Sequence, residues 1–304
     1  LQQITPCIWL DDTAGELTAF YKDTFPDFQV LNTTYYSDSG KEIHGHTAGE
    51  VLTITFGIGG YRLLALNGGP QFTPNPAISL FYYSDDAAQI DAIWQKLSAG
   101  GKVLMELDKY PFSSYYGWVS DMYGVSWQLM LAPKEAVASQ RIAPSLLFHG
   151  PNAGRAQEAI DFYVATFDDA RVGMLSPYPP GAEPNTPEML AYGDFMLHGE
   201  RIAAMDSALD HDFQFSEGVS LVVTVHDQET IDRYWEALSA VPESEACGWL
   251  KDKFGVSWQI VPAVLEEMQT SGTPEQIERL MAALMPMKKI DITALQKAYD
   301  NAYA

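Results

Sequence analysis

The sequence predicts an α+β protein made of four βαβββ units, arranged as two similar halves with a helical tail. Three observations support this. The string Gly124-Val125-Ser126-Trp127-Gln128 returns as Gly255-Val256-Ser257-Trp258-Gln259, each copy preceded by a Gly-Trp pair and an Asp (Gly117, Trp118, Asp121; Gly248, Trp249, Asp252). Other segments repeat in the same order: Ile4-Thr5-Pro6 with Ile142-Ala143-Pro144, Phe20-Tyr21 with Phe162-Tyr163, and Ile90-Asp91 with Ile231-Asp232. Within each half, a β-prone run, an amphipathic helix and further strand-like runs occur twice.

In the first half, Thr5 to Leu10 alternates as a strand, and Ala14 to Thr24 places Leu17, Phe20 and Tyr21 at helical spacing. Strands are expected at Gln29 to Tyr35, Val51 to Phe56 and Tyr61 to Leu66, with Gly57-Ile58-Gly59-Gly60 as a turn. The order then repeats: a strand at Ile78 to Tyr83, a helix at Ala87 to Ala99, and strands near Lys102 to Leu107, Gly117 to Ser120 and Ser126 to Leu131. The copies are 141 residues apart at Ile90 and Ile231 but 131 apart at Gln128 and Gln259, so the second half is expected to lack ten residues in the loop after its second helix. The expected layout is a first domain over 1–133, a linker over 134–141, a second domain over 142–262 and a tail over 263–304. In the tail, Thr273 to Met285 and Ile292 to Tyr303 read as amphipathic helices. Pairing two units within a domain curls their sheets into a half-open barrel whose inner face is a cleft.

Forty acidic against eighteen basic residues give a net charge of −22, which disfavours nucleic acid and anionic membrane surfaces as partners. No apolar run approaches the roughly 20 residues that span a bilayer, and Leu1 to Leu10 lacks the pattern of a signal peptide. With Cys7 and Cys247 alone there is no disulfide framework, and a reducing cytoplasm is expected.

The chain resembles the vicinal oxygen chelate superfamily, which includes glyoxalases, bleomycin-resistance proteins and extradiol dioxygenases. The likeness is nearest to its PhnB-like branch, often labelled 3-demethylubiquinone-9 3-methyltransferase. It is carried by Pro6 to Leu10, Phe20-Tyr21, Leu66 to Pro70, Ala77-Ile78-Ser79, the run Cys247 to Gln259, and Met287 to Ile292. The resemblance implies tandem glyoxalase/bleomycin-resistance-type domains. In metal-dependent members it also implies ligands from the first strand, from the strand opening the second half and from the last strand. The last-strand position is held here by Gln128 and Gln259. The other positions are Thr5, Pro6 and Cys7 or Ala143, Pro144 and Ser145, with Ala77 and Ile78 or Gly218 and Val219. None is His or carboxylate, so neither a metal nor a cofactor is expected.

The candidate ligand-binding residues are Gln128, Gln259, Cys7, Trp9, Asn67, Ser145, Asp206 and Cys247. Gln128 and Gln259 are expected to face inward, either to a ligand or to pin neighbouring strands. Cys7 and Cys247 lack a local base and read as structural thiols. Asn67-Gly68-Gly69-Pro70 reads as a turn at the cleft mouth or a ligand-contacting loop, with Asp206 as the counterpart of Asn67. Arg62 and Arg201 align and either meet an anionic substrate or pair with surface carboxylates. His44 and His46 share a strand face by their spacing, which would suit a metal pair, but with no third ligand and no equivalent in the second half they read as a solvated hairpin rim, while His149, His198, His211 and His226 read as loop or surface residues. No residue is assigned as catalytic. No Gly-rich turn follows a strand and opens a helix, as a dinucleotide-type site for methyl transfer would need. The expected function is binding of a small organic molecule, by a monomer or homodimer. An enzyme of the superfamily (lyase, dioxygenase or the labelled methyltransferase) and a degenerate structural or partner-binding module are the alternatives.

Overall fold

The computed structural model describes residues 2–301. The first unit runs β1 (Ile4–Leu10), α1 (Ala14–Thr24), β2 (Phe28–Tyr35), the short α2 (Lys41–His44), β3 (Val51–Ile58) and β4 (Tyr61–Asn67). The second runs β5 (Ile78–Ser84), α3 (Ala87–Ser98), β6 (Lys102–Tyr110), β7 (Ser113–Ser120) and β8 (Ser126–Leu131). After α4 (Lys134–Ser139) the third follows with β9 (Ile142–Phe148), α5 (Ala156–Thr166), β10 (Ala170–Pro177), β11 (Leu190–Leu197) and β12 (Glu200–Asp206). The fourth has β13 (Val219–Val225), α6 (Gln228–Leu238), β14 (Trp249–Lys251) and β15 (Ser257–Pro262), and the tail holds α7 (Ala263–Ser271), α8 (Pro274–Leu284) and α9 (Ile292–Tyr299). Of the expected helix ending at Tyr303, the last two residues lie outside the described residues.

Four units in an α+β fold are present as expected, but the missing ten residues remove a strand rather than a loop. The fourth unit has no counterpart of β6, and β14 is only three residues long. One sheet therefore has seven strands and the other eight: β14-β15-β13-β1-β4-β3-β2 and β10-β11-β12-β9-β5-β8-β7-β6.

These orders also show which units pair. The seven-stranded sheet joins the first unit to the fourth through antiparallel β1 and β13, and the eight-stranded sheet joins the second to the third through antiparallel β5 and β9. Pairing is thus between the halves, where the sequence reading placed it within each. The helix-side cores lie mainly within the halves, with Ile4 and Ile78 reaching into the second and Ile142 into the first. Leu17, Tyr21 and Phe25 of α1 and its flank share a buried cluster with Ile90, Ile93 and Leu97 of α3 and with Trp127, while Ile160 and Tyr163 join Ile231, Tyr234 and Trp258 in the other half. Each half packs back to back through its helices, which leaves the concave faces to pair across the halves.

A repeated carboxylate fixes this packing. Asp121 Oδ1 accepts from the backbone N–H groups of Tyr123 and Val125, and its Oδ2 accepts from Tyr21 Oη at 2.7 Å and Trp127 Nε1 at 3.3 Å. Asp252 does the same with Phe254, Val256, Tyr163 and Trp258. The repeated Phe-Tyr and Asp…Trp-Gln strings are therefore two sides of one contact, joining the helix of one unit to the last hairpin of the next.

The tail crosses the concave side of the seven-stranded sheet. Val261 of β15 packs with Leu265, Met268, Leu280, Leu284 and Ile290 of the tail. Thr273 begins α8 with a capping box closed by Gln276. Across the sheet, Glu266 of α7 meets Arg62, and Glu278 of α8 accepts from the backbone N–H of Asp38 at 3.0 Å and from the Ser39 hydroxyl. Among the described residues, no helix is long and apolar enough to cross a membrane.

Candidate functional site

Side chains alternate along the strands, so one set of positions faces the concave side of each sheet. On β1, Ile8 and Leu10 enter the helix-side core, which turns Cys7 and Trp9 to the concave side. On β15, Trp258 and Ile260 are in the core and Gln259 faces the opposite way. Gln259 thus faces the cleft, as expected, and so does Gln128 beside core Trp127 and Leu129.

The two clefts carry equivalent polar trios. In the first, Cys7 lies opposite Ser220 in the β1/β13 register, and Gln259 Nε2 donates to Ser220 Oγ at 3.0 Å. Cys7 is fully buried beside them, and burial pushes its thiol up to about 12. In the second, Ser145 lies opposite Ser79, and Gln128 Nε2 donates to Ser79 Oγ at 2.7 Å. Ser145 Oγ is buried without a partner. The sequence reading placed the middle position at Ala77 and Ile78 or Gly218 and Val219; the residues of β5 and β13 that meet the two glutamines are Ser79 and Ser220, one or two residues on. The signal was available, since the two serines align across the halves and Ser79 stood in the resemblance itself.

Cys7, Ser220 and Gln259, or Ser145, Ser79 and Gln128, do not fit a divalent metal ion. They offer a buried protonated thiol, hydroxyls and an amide where such an ion needs imidazole, carboxylate or thiolate. Among the described residues, no group of three or more His, Cys, Asp or Glu is placed to hold one.

Beyond the trios the clefts differ. The second is filled by its own side chains: Phe81, Tyr83, Tyr116, Val137, Ala143 and Ala203 form a buried cluster. Gln128 is fully buried, and its Oε1 accepts from Tyr116 Oη at 2.6 Å, so both ends of the amide are engaged. In the first cleft, Trp9, Leu64, Leu66 and Trp249 are half-buried on the concave face. Trp9 packs edge-on against Phe72 and Trp249, with its Nε1 donating to the Gly69 carbonyl at 2.8 Å. A Cβ on Gly68 would come within 2.3 Å of that indole, which explains the glycine.

The other candidates have structural partners. Asn67 Oδ1 accepts from the Ala14 N–H at the start of α1, and its Nδ2 donates to the Val51 carbonyl, so it caps a helix instead of closing its own turn. Asp206 repeats this, accepting from Ala156 N–H at the start of α5 and from Leu190 N–H. Cys247 turns its thiol towards the carbonyls of Leu284 and Met285 in the tail. Its backbone φ is 51°, in the left-handed region. With Cys7 fully buried and Cys247 partly exposed, a thiol reagent should label one cysteine rapidly in the native protein and the second only on unfolding. Peptide mapping should place the rapid label on Cys247.

His44 and His46 sit differently from expectation, whereas His149 and His198 lie on loops as expected but are packed against aromatic neighbours. His44 ends the short helix α2, and His46 stacks on Tyr36 at 4.1 Å between Asp12 and Glu50, so the pair is not on a strand. His149 is only 6% exposed, edge-on to His211 and Phe213, and burial lowers its pKa. His198 is likewise lowered by burial, packed against Phe167 and Tyr234. Arg62 pairs with Glu266, as surface pairing would have it, whereas Arg201 lies over the Tyr83 ring at 6.0 Å.

Comparison with known proteins agrees with this architecture. No curated protein matches the chain. Among solved structures, glyoxalase I from Zea mays is 12% identical with a TM-score of 0.55, covering 88% of this chain and 94% of that one, a likeness of fold. The PhnB protein from Bacillus cereus is 34% identical over 43% of this chain and 100% of its own, with a TM-score of 0.39. The fosfomycin resistance protein FosX from Listeria monocytogenes is 13% identical over 44% of this chain and 94% of its own, with a TM-score of 0.32. The family model described as 3-demethylubiquinone-9 3-methyltransferase matches twice, over residues 2–130 and 140–261. The chain is therefore a tandem member of that family, the PhnB-like branch of the vicinal oxygen chelate superfamily.

Proposed function

We propose that this chain binds a small organic molecule in the cleft of its seven-stranded sheet and does so without a metal ion. The observation that carries the reading is the difference between Gln259 and Gln128. Gln128 is locked by Tyr116 and Ser79, whereas the residue at the Tyr116 position in the other half is Cys247, whose thiol turns to the tail. Gln259 therefore keeps carbonyl capacity beside half-buried Trp9, Leu64 and Trp249, an apolar cleft with few polar groups, as ligand sites generally are. Tail helices pack on Val261 and Cys247 beside the site. Methyl transfer gains no support from the fold: Gly57 to Gly60 lies at the β3–β4 hairpin, and among the described residues no Gly-rich turn opens a helix.

A thermal-shift screen of small organic molecules should yield ligands that stabilise the wild type. Gln259→Leu should weaken each by about tenfold or more, the scale of one lost hydrogen bond to a buried amide. Gln128→Leu should leave affinity unchanged and lower the melting temperature. A screen without hits, or stoichiometric Zn, Ni, Mn or Fe in protein purified without chelators, would reject the proposal.

A further inference from the structure

Most arginines of the chain have a partner. Arg62, Arg155 and Arg233 pair with Glu266, Glu158 and Asp168, Arg141 donates to Tyr82 and Gln89, and Arg279 donates to backbone carbonyls of the tail. Arg171 and Arg201 form no ion pair among the described residues, although the chain carries forty acidic against eighteen basic residues. Strand register puts these two in one row at the edge of the eight-stranded sheet. Arg171 of β10 lies opposite Met196 of β11, and Met196 lies opposite Arg201 of β12. Residues directly opposite share a face, and Phe195 and Leu197 enter the helix-side core, so all three side chains stand on the concave face. The two arginine backbones are two strand spacings apart, roughly 10 Å, with half-buried Met196 between them. Arg171 is exposed and Arg201 half-buried, and no nitrogen of either is buried without a partner, so both guanidinium groups reach solvent. Arg201 lies over the ring of Tyr83, whose phenol, pushed up to about 12 by burial, is neutral and offsets no charge.

We propose that this row binds a small aliphatic dicarboxylate, one carboxylate on Arg171 and the other on Arg201, with the methylene chain over Met196. The site lies on the other sheet from the Gln259 cleft and does not rest on the function assigned to that cleft. A guanidinium receives a carboxylate as a two-pronged fork, and two forks held apart by an apolar side chain match two carboxylates held apart by methylenes. A single carboxylate engages one fork and leaves the other unused. Asp194 shares this face, but its oxygens accept from the Met174 N–H at 2.8 Å and from Tyr192 Oη at 3.0 Å, and it pairs with neither arginine. The seven-stranded sheet lacks the arrangement. Its corresponding row reads Gln29, Gly57 and Arg62, so the first cation is missing and the second is met by Glu266. Counting from Pro133 and Pro262, the position of Glu266 is taken by Val137 beside the eight-stranded sheet, which leaves Arg201 without that partner.

Calorimetry on the full chain at low ionic strength, with adipate, hexanoate and inorganic phosphate as probes, tests this. Adipate should bind at least about tenfold more tightly than hexanoate, and added salt should weaken it. Arg171→Gln and Arg201→Gln should each bring adipate down to the affinity of hexanoate. Arg171 is exposed, so its substitution removes a contact without threatening the fold. Arg155→Gln, which removes the same charge from α5, should leave adipate binding unchanged. The proposal is overturned if hexanoate binds the wild type as tightly as adipate, or if inorganic phosphate does so, the mark of both arginines converging on one anion. It is equally overturned if Arg155→Gln weakens adipate as much as Arg171→Gln, if neither Arg171→Gln nor Arg201→Gln weakens it, or if no probe binds.

Discussion

Asp252→Ala should destabilise the protein by roughly 4 kcal/mol or more and lower its melting temperature by about 10 °C, the largest effect expected of any single polar substitution in this fold. The carboxylate accepts from Tyr163 Oη at 2.7 Å, Trp258 Nε1 at 2.8 Å, and the N–H groups of Phe254 and Val256 at 2.8 and 3.0 Å. Tyr163, Trp258 and Val256 are fully buried and Phe254 nearly so, so alanine would leave four donors without acceptor or water. An orphaned buried donor costs about 1–3 kcal/mol, and local relaxation recovers part of the sum. Asp252→Asn separates the contributions. Its Oδ1 can still serve the two backbone donors, but its NH2 would face Tyr163 Oη, which can turn to accept, and Trp258 Nε1, which cannot. A loss of about half that of alanine is expected. The equivalent Asp121→Ala should cost less, since its indole contact is longer, at 3.3 Å. Chemical denaturation of the three variants provides the measurement, and an Asp252→Ala within 1 kcal/mol of wild type would refute the assigned role.

That carboxylate shows why so much of the architecture was legible. The repeated Phe-Tyr and Asp…Trp-Gln strings carried the four units, because each buries large side chains in a fixed relation, and strand alternation placed Gln128 and Gln259 on the concave faces. The choice of neighbour was not legible. Alternation on β1 says that Cys7 faces one side and Ile8 the other, but not whether β5 or β13 pairs at its edge, since both are short apolar strands with the same pattern. The lost strand was hidden for a related reason: an alignment registers ten missing residues without saying whether they formed a loop or an edge strand. Short helices such as α4 and α7 fell where a linker or the start of the tail was expected, because six to nine residues hold too few turns for a helical period to stand out. The cleft floor was read in part. The Gln positions follow from alternation, whereas Ser79 and Ser220 gain meaning only when pairing brings them beside Gln128 and Gln259. The contrast between Gln128, held at both ends of its amide, and Gln259 depends on Tyr116 and Cys247, which are unlike residues at corresponding sites, so repetition could not reveal it.

Pairing between the halves also makes the junction of the two sheets sensitive to pH through Glu200. This residue opens β12 in the eight-stranded sheet, and its Oε1 accepts from the N–H groups of Gln3 and Ile4 at 2.6 and 3.1 Å, holding the start of β1 in the other sheet. Its Oε2 and the hydroxyl of Tyr61 are buried without partners. Burial pushes the Glu200 carboxyl from its ordinary 4.5 up to about 7, although both N–H groups favour the charged form. Because the folded-state pKa lies above the unfolded one, the folded state binds more protons between the two values. The stabilising contribution is complete below about pH 4.5 and is lost as pH rises through about 7. Above that, the fold carries a buried carboxylate at a cost of at most roughly 3 kcal/mol. Glu200→Gln keeps an acceptor for both N–H groups and removes the charge, so it should be more stable than wild type at pH 8 and nearly equal to it at pH 4.5. Comparing the two proteins isolates Glu200 from other titrating groups. Asp121, pushed up to about 6 by burial, gives a slope of the same sign, while His149 and His198, both lowered by burial, oppose it. Denaturation of both proteins across pH 4.5 to 8 should therefore show the stability gap opening towards alkaline pH, and a gap that is constant or opens towards acid would show that Glu200 is not the charged group buried at this junction.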